Sequence, residues 1–268
     1  MNPQDERRRF DEDGYVLRRR LFDDDEMALV RAAAERDVAV GRPVTELSDG
    51  NGRVTRFRLW YDLTDDLYSD VVRCDRVVDT VERLLGEPVY HYHSKVMLKQ
   101  PRVGGSWLWH QDYGYWYHYG FLFPRLISCM IALDHATLGN GCLKVVRGSH
   151  RMGRLEHALV GEQIAADPER VAQILDRMDV EPVELEPGDA LFFGCNVLHG
   201  SSENASDQPR WSFITCFNAK SNQPFAGYER GRPMYQNKQP RSTELIKVPD
   251  AALRERIAHA RTANEAGR

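Results

Sequence analysis

The sequence predicts a mainly β chain whose strands close into a barrel or a two-sheet jelly roll, with helices before and after them. Short β-rich runs follow one another from residue 89 to residue 217, and typical turn chemistry separates them, such as Gly139-Asn140-Gly141 and Pro187-Gly188-Asp189. Many short strands at regular spacing are typical of a closed barrel or two packed sheets. At 268 residues, one domain spanning 1–268 is expected.

The N-terminal part, 1–88, is expected to be helical and mixed. Asp23 followed by Glu26 is a capping-box pattern, and the apolar stripe after it continues to a stop at Gly41-Arg42-Pro43. A second helix is expected over 69–85, where Gly86 closes it. These helices are expected to pack on one sheet of the barrel.

The β core is expected at about 89–220, with a C-terminal extension over 221–268. The predicted strands are 89–98, 106–110, 126–133, 142–146, 183–185, 190–193 and 211–217. One short helix at 168–178 interrupts them. A last helix is expected over 250–261, with Leu253 and Ile257 as its apolar anchors.

Composition excludes several classes of function. The formal charge is −4, from 36 Lys and Arg against 40 Asp and Glu, and two short arginine triplets do not make a nucleic-acid surface. No apolar run is long enough to cross a membrane, and the polar start without an apolar signal core predicts a cytoplasmic protein. The five cysteines include no Cys-x-x-Cys pair, so neither disulfides nor a structural zinc is expected. A small-molecule substrate is the expected partner, and no oligomeric state is predicted.

The most informative motif is Trp109-His110-Gln111-Asp112. On an extended segment, side chains at i and i+2 project to the same side, so His110 and Asp112 can reach one metal ion. His199 follows far downstream as a third candidate ligand. Two imidazoles and one carboxylate leave three coordination positions open. That arrangement suits non-haem Fe(II), which must bind a bidentate co-substrate and dioxygen together.

Arg210 strengthens this prediction. It lies eleven residues beyond His199, where strand alternation can turn its guanidinium into the barrel. An unpaired cation there would cost roughly 3–5 kcal/mol, so an anion is expected beside it. The distal carboxylate of 2-oxoglutarate is a natural partner, held by two parallel charge-assisted hydrogen bonds. Ser201 can add a hydroxyl donor to the same carboxylate.

Taken together, these motifs resemble the phytanoyl-CoA dioxygenase superfamily, which includes ectoine hydroxylase. The resemblance begins at Phe10-Asp11-Glu12-Asp13-Gly14-Tyr15-Val16 and continues through the His-x-Asp motif, Asn140-Gly141-Cys142-Leu143 and Gly148-Ser149-His150. It ends with Pro187-Gly188-Asp189 leading to His199. The order and spacing of the motifs fit across most of the chain.

The resemblance implies a double-stranded β-helix, a cupin-like jelly roll. It implies Fe(II) at His110, Asp112 and His199, with 2-oxoglutarate on Arg210 and Ser201. By the same resemblance, Lys95 is a second 2-oxoglutarate contact and Trp116 a wall of the substrate and co-substrate pocket. Additional substrate contacts are expected from Tyr113, in an unusually aromatic stretch, and from Arg56.

The activity implied is hydroxylation of an unactivated C–H bond of a small metabolite or natural-product intermediate. Dioxygen is the oxidant, and 2-oxoglutarate is decarboxylated to succinate. Related halogenases replace the carboxylate of Asp112 with a small residue, so halogenation is not expected. Desaturation, epoxidation and cyclisation stay open, as do an amino acid or other carboxylate, a terpenoid or a CoA thioester as substrate.

Two alternatives compete with this hypothesis. In the first, His91 and His93, which alternate with tyrosines and are expected to share a strand face, hold the metal of a cupin-like isomerase or lyase without 2-oxoglutarate. In the second, the barrel is a catalytically silent binding module. Four other histidines lie in polar or loop-like contexts and are predicted at the surface: His118, His135, His157 and His259.

Overall fold

The computed structural model describes residues 2–225 and 243–266. The strands are β1 (Tyr15–Arg18), β2 (Thr45–Ser48), β3 (Val54–Trp60), β4 (Val89–Lys99), β5 (Trp107–His110), β6 (Leu126–Ala132), β7 (Leu143–Val146), β8 (His157–Val160), β9 (Gln163–Ala166), β10 (Val180–Val183), β11 (Ala190–Gly194), β12 (His199–Ser201) and β13 (Arg210–Ala219). The α-helices are α1 (Pro3–Asp13), α2 (Asp24–Ala39), α3 (Leu67–Arg73), α4 (Asp75–Leu85), α5 (Asp112–Trp116), α6 (Pro168–Leu175) and α7 (Asp250–Ala266).

The strands form two antiparallel sheets and a hairpin. The larger sheet has the order β1-β11-β6-β13-β4-β3-β2, the smaller has the order β10-β7-β12-β5, and β8 pairs with β9. Apolar side chains from both sheets pack into one core, among them Met97, Met130 and Ile214 from the larger sheet and Val145 from the smaller. The crossed strand order and shared core confirm the predicted jelly roll of the double-stranded β-helix type.

Helices cover the outer face of the larger sheet, as expected. Val30 of α2 and Val81 of α4 pack in the same cluster as Val96 and Phe213 of the sheet. Leu253 of α7 is fully buried in this cluster, which confirms it as an anchor. The described helices include none that is both long enough and apolar enough to cross a membrane.

The N-terminal part, expected to be helical and mixed, contributes three strands to the larger sheet beside its helices. β1 pairs with β11, and β2 and β3 extend the larger sheet beyond β4. The capping box of α2 is confirmed, since the Asp23 side chain accepts from Glu26 N while the Glu26 side chain accepts from Asp23 N. The predicted second helix is two helices, because Cys74 has an extended ψ of 133° between them.

Within the core, each predicted strand except the one at 183–185 matches an observed strand. The β8–β9 hairpin and β12 were not predicted, and the strand expected at 183–185 pairs with β7 over Val180–Val183 instead. The structure buries five cysteines as free thiols: Cys74, Cys129, Cys142, Cys195 and Cys216.

A bulge in β4 separates two histidines that were expected to share a strand face. His93 lies opposite Cys216 and His91 opposite the next residue, Phe217, so Tyr92 is the extra residue of the bulge. The ring of His91 packs against Phe217, on the side of the helices, whereas the ring of His93 packs against Tyr92 inside the barrel. The expectation of a shared face is therefore wrong.

Candidate metal centre

Two neighbouring strands bring the predicted histidine ligands together. His110 ends β5 and lies directly opposite His199, which begins β12, and their ring centroids are 4.1 Å apart. Gln111 is extended, so Asp112, the first residue of α5, turns back toward the same point. Asp112 Oδ1 lies 3.7 Å from His110 Nε2 and 4.0 Å from His199 Nε2. The three candidate ligand atoms form one buried cluster.

Both imidazoles are held in the form that can bind a metal. The Nδ1 atom of His110 lies 2.8 Å from the carbonyl oxygen of Leu108, and that of His199 lies 2.9 Å from the carbonyl of Val197. A carbonyl only accepts, so each Nδ1 carries the proton and each Nε2 turns a lone pair toward the centre. Burial, with His199 nearby, holds the pKa of His110 well below its ordinary value, and burial also lowers the pKa of His199. The two rings are therefore neutral.

Asp112 is held as an ionised ligand by two hydroxyl donors. Tyr115 Oη donates to Oδ1 over 2.6 Å and Ser128 Oγ donates to Oδ2 over 2.8 Å. Burial acts to raise the pKa of Asp112, but the positive charge of the nearby Lys95 and the hydrogen bond from Tyr115 act against it, and the pKa lies below its ordinary value. Sequence reasoning did not single out Tyr115 or Ser128, although the position three residues after Asp112 on a helix is a signal for Tyr115.

Replacing Tyr115 with phenylalanine is expected to weaken Fe(II) binding about 10- to 100-fold, because the donor that orients Asp112 Oδ1 is lost. Anaerobic isothermal titration with Fe(II) measures this. Tyr113→Phe is the matched control, since the Tyr113 hydroxyl donates to the carbonyls of Phe121 and Leu122 and not to a metal ligand. An equal loss in both variants would mean that the hydroxyl of Tyr115 has no specific role.

A buried cation lies beside this centre. Arg210, at the start of β13, is 4% exposed; it donates from Nη2 to the carbonyl of Gly141 over 2.8 Å, and its Nε has no partner. Across residues 2–225 and 243–266 no carboxylate forms an ion pair with it. Burial lowers the pKa of Arg210 to about 10, so it is still a cation at neutral pH. A buried charge without a counter-ion indicates that an anion binds here.

Lys99 lies directly opposite Arg210 in the strand register, and sequence reasoning did not single it out. Its Nζ donates to Ser201 Oγ over 2.9 Å and also to the carbonyl of Ser202. The hydroxyl hydrogen of Ser201 is thereby left for a further acceptor. Burial, with Arg210 beside it, holds the pKa of Lys99 well below its ordinary value. The predicted strand ended at Leu98, one residue before this lysine.

A larger chamber adjoins the metal centre. The cavity that holds the three metal ligands, Ser201 and Arg210 has a volume of about 40 Å³, and the chamber next to it has about 180 Å³. Aromatic side chains make half of the chamber wall: Phe57, Tyr61, Tyr92, Trp107, Tyr115, Trp116 and Tyr119. The predicted pocket residue Trp116 thus lies in the chamber, with its ring edge-on to Tyr92 at 5.5 Å.

Three other residues were predicted to contact the co-substrate or the substrate: Lys95, Tyr113 and Arg56. Lys95 lines both cavities, with its ammonium 5.5 Å from the ring centroid of Trp107. The Tyr113 hydroxyl faces a backbone loop, and the side chain does not line either cavity. Arg56 pairs with Glu46 at 2.7 Å on an exposed face. The structure therefore brings Lys95 to the pocket and leaves Tyr113 and Arg56 outside it.

The His-x-Asp motif is anchored by a histidine that was predicted at the surface. His157 is 2% exposed, and its Nε2 accepts from the backbone N–H of Gln111 over 2.8 Å, so that prediction is wrong. The ring packs so closely on Gly114 that a Cβ there would lie 2.1 Å from it. The side chain of Gln111 also donates to the carbonyls of Gly153 and Asn196. These contacts fix the direction of the segment that carries both ligands.

His91 and His93 do not form a second metal site. Nε2 of His91 lies 2.9 Å from Ser94 Oγ, and the ring of His93 lies 5.6 Å from Trp116. In the described part of the chain neither histidine belongs to a group of three potential ligands. The geometry does not favour the cupin-like alternative.

Comparison with known proteins shows similarity to oxygenases. A model of the phytanoyl-CoA dioxygenase family matches residues 10–212. The L-proline trans-4-hydroxylase of Streptomyces griseoviridis is 30% identical over 232 residues, which are 81% of this chain and 86% of that protein. An ectoine dioxygenase of Sphingopyxis alaskensis is 29% identical over 244 residues, 84% of this chain and 79% of that protein.

Solved structures share the fold. The structure of EctD from S. alaskensis with bound Fe matches with a TM-score of 0.76 and 24% identity, over 93% of this chain and 88% of that one. The epimerase SnoN, in complex with Fe3+, alpha ketoglutarate and nogalamycin RO, matches with a TM-score of 0.72 and 21% identity, over 92% and 97%. At these identities the likeness establishes the jelly-roll fold alone.

Proposed function

We propose, since the chain belongs to the phytanoyl-CoA dioxygenase family, that it is a non-haem Fe(II)- and 2-oxoglutarate-dependent oxygenase that hydroxylates a C–H bond of a small metabolite. One observation carries the proposal. The cluster of His110, Asp112 and His199 shares a cavity with Arg210, a buried cation for which the described residues offer no counter-ion.

The residues at the centre fit Fe(II). Two neutral imidazoles and one ionised carboxylate are the donor set that leaves room for a bidentate co-substrate and dioxygen. When bound, iron and 2-oxoglutarate supply the oxidising chemistry with dioxygen, and succinate and carbon dioxide leave. The chain keeps His110 and His199 in the required tautomer through their Nδ1–H bonds to backbone carbonyls.

The anion pocket fits the distal carboxylate of 2-oxoglutarate. The guanidinium of Arg210 can donate two parallel hydrogen bonds to a carboxylate, and the Ser201 hydroxyl can donate a third. Lys99 supports this pocket by fixing Ser201 Oγ at 2.9 Å. Lys95 lines the same cavity as Arg210 and is kept as the second 2-oxoglutarate contact, whereas Lys99 acts on the pocket through Ser201.

The chamber positions the substrate. Its volume of about 180 Å³ is below the roughly 300–1,000 Å³ of pockets for drug-sized ligands. A small metabolite fits this space. The relatives named L-proline trans-4-hydroxylase and ectoine dioxygenase act on small molecules too. The rings of Trp107 and Trp116 exclude water on the side where the target carbon would lie.

The visible absorption of anaerobic protein tests the proposal without knowledge of the substrate. We expect a weak charge-transfer band when Fe(II) and 2-oxoglutarate are both present, and no band with either alone. Tight binding of Fe(II) with no band on addition of 2-oxoglutarate would overturn the proposal and would favour a metalloenzyme that does not use this co-substrate.

A further inference from the structure

The β8–β9 hairpin is linked to the metal-binding segment through side chains rather than through strand pairing. Among the described strands, β8 and β9 pair only with each other. Two polar side chains of the hairpin, His157 and Gln163, are nevertheless almost fully buried against β5 and the residues after it. Neither belongs to the group of three metal ligands, yet both contact the backbone of the segment that carries His110 and Asp112.

Gln163 supports the residue that orients His110. Its Oε1 accepts from the backbone N–H of Leu108 over 3.0 Å, and its Nε2 donates to the carbonyl of Ser106 over 3.1 Å. The carbonyl of Leu108 in turn accepts from Nδ1 of His110 over 2.8 Å. One buried amide therefore fixes the backbone on both sides of Trp107, directly before the carbonyl that sets the tautomer of His110.

His157 holds the peptide group between the other two ligands. Its Nδ1–H donates to the carbonyl of Leu155 over 2.9 Å, so its Nε2 accepts from the N–H of Gln111 over 2.8 Å. Burial lowers the pKa of His157, so the ring is neutral at neutral pH and keeps this acceptor. The N–H of Gln111 belongs to the peptide bond with His110, and the contact therefore fixes the chain direction directly before Asp112.

The side chain of Gln111 connects the third ligand to the same network. Its Oε1 accepts from the N–H of Leu155, two residues before β8, over 2.7 Å, and its Nε2 donates to the carbonyl of Asn196 over 2.7 Å. Asn196 precedes Val197, whose carbonyl accepts from Nδ1 of His199. Hydrogen bonds thus connect the hairpin to the backbone that positions each of the three ligands.

The same hairpin forms part of the chamber wall, through Glu162, Gln163 and Ile164. A molecule that fills the chamber contacts the element that positions the metal ligands. Two sites that share such an element affect each other's affinity, and linkage requires the effect on binding to be equal in both directions.

We propose that His157 and Gln163 are positioning residues and that the β8–β9 hairpin couples the chamber to the metal centre. The proposal rests on the proposed function and adds regulation to the same site. A substrate that contacts the hairpin changes the affinity of the centre for iron, and iron in turn stabilises the hairpin.

Hydrogen exchange of the wild-type protein tests the coupling without knowledge of the substrate. Fe(II) at about 100 times its Kd, under anaerobic conditions, makes any opening that breaks the metal site roughly 100-fold rarer. We expect exchange of the hairpin amides, residues 157–166, to slow by about 10-fold or more when Fe(II) is added, although the hairpin supplies no ligand. Amides of α2, on the outer face of the larger sheet, are the internal reference and should change little.

Variants assign the coupling to the two side chains. His157→Leu removes the acceptor for the N–H of Gln111, and Gln163→Met removes both hydrogen bonds to the β5 segment. Each should weaken Fe(II) binding about 10- to 100-fold and reduce the protection of the hairpin. His157→Gln, whose Oε1 can take the place of Nε2, should restore most of the affinity. Gln173→Met, at an exposed position of α6, is the control and should change neither measurement.

Two results would overturn the proposal. Unchanged exchange of the hairpin in wild-type protein loaded with Fe(II) would remove the coupling, and this measurement decides even where a buried variant does not fold. Equal Fe(II) affinities in His157→Leu and His157→Gln, whether high or low, would show that the acceptor does not position the ligands. Failure of the proposed function looks different, because the wild type would then bind Fe(II) without a charge-transfer band on addition of 2-oxoglutarate.

Discussion

Replacing Arg210 with methionine is expected to weaken 2-oxoglutarate binding by roughly 30- to 4,000-fold. This range corresponds to the 2–5 kcal/mol that truncation of one partner in a buried, hydrogen-bonded charge pair costs. Arg210 is the buried cation of the metal cavity, and methionine fills the space without offering a donor. Anaerobic titration calorimetry of 2-oxoglutarate into Fe(II)-loaded protein measures the change.

Two further variants make this prediction specific. Arg210→Lys should recover only part of the affinity, because an ammonium cannot donate two parallel bonds in the plane of a carboxylate. Arg56→Met removes an exposed arginine that pairs with Glu46, and it should leave the affinity unchanged. If Arg210→Met binds 2-oxoglutarate as tightly as the wild type, the anion pocket serves another ligand.

Thermal unfolding separates a ligand-binding role of Arg210 from a structural one. A buried cation without a counter-ion destabilises the ligand-free fold, so the ligand-free Arg210→Met protein should have an equal or higher Tm. The wild type should gain stability when Fe(II) and 2-oxoglutarate are added, and the variant should gain much less. A lower Tm in the ligand-free variant would indicate that Arg210 mainly supports the carbonyl of Gly141.

The metal ligands could be predicted from sequence because their pattern is local and chemically distinctive. His110 and Asp112 are two residues apart, and an extended Gln111 between them suffices to turn both inward. His199 lies opposite His110 only through the pairing of β5 with β12, a strand that was not predicted, and it was proposed as a ligand together with the motif that precedes it, Pro187-Gly188-Asp189. Arg210 stood out because a lone cation at the start of an apolar strand needs an anion.

The positions of other site residues depend on strand pairing, which the local sequence does not specify. Alternation along β3 puts Arg56 on one face and Phe57 on the other, but only the sheet decides which face lines the chamber. Lys99 was missed because the predicted strand ended one residue early. His157 was placed at the surface because the β8–β9 hairpin has short, weakly patterned strands, and its burial follows from contact with Gln111.

The fold class could be predicted from the sequence, whereas the outer strands of the larger sheet could not. Strong turn residues marked the core strands, whereas β1 and β3 are held by pairing with strands distant in sequence, β11 and β4, and β2 is held by β3. The bulge at Tyr92 is a further case, since nothing in an alternating Tyr-His run reveals one extra residue. That single residue separates His91 from His93 and thereby removes the geometric basis for a second metal site.

Replacing Asp112 with asparagine is expected to reduce Fe(II) affinity by more than 100-fold, whereas His93→Gln should leave it nearly unchanged. Asparagine keeps the size of the side chain and one acceptor oxygen, for either Tyr115 or Ser128, but it removes the negative charge that binds a divalent cation. The loss should exceed the roughly 10- to 100-fold typical of changes to residues that only support a ligand. His93 lies in the chamber wall and meets no pair of other potential ligands in the described chain.

Metal content after dialysis against a weak chelator, together with anaerobic Fe(II) titration, distinguishes the two sites. The hypothesis of a cupin-like site predicts the reverse order, with metal lost in His93→Gln and retained in Asp112→Asn. Because both rings of the proposed triad already hold their protons on Nδ1, no rearrangement of His110 or His199 is needed for binding. The effect of Asp112→Asn should therefore reflect the loss of one ligand charge, and Tyr115→Phe should fall between it and the wild type.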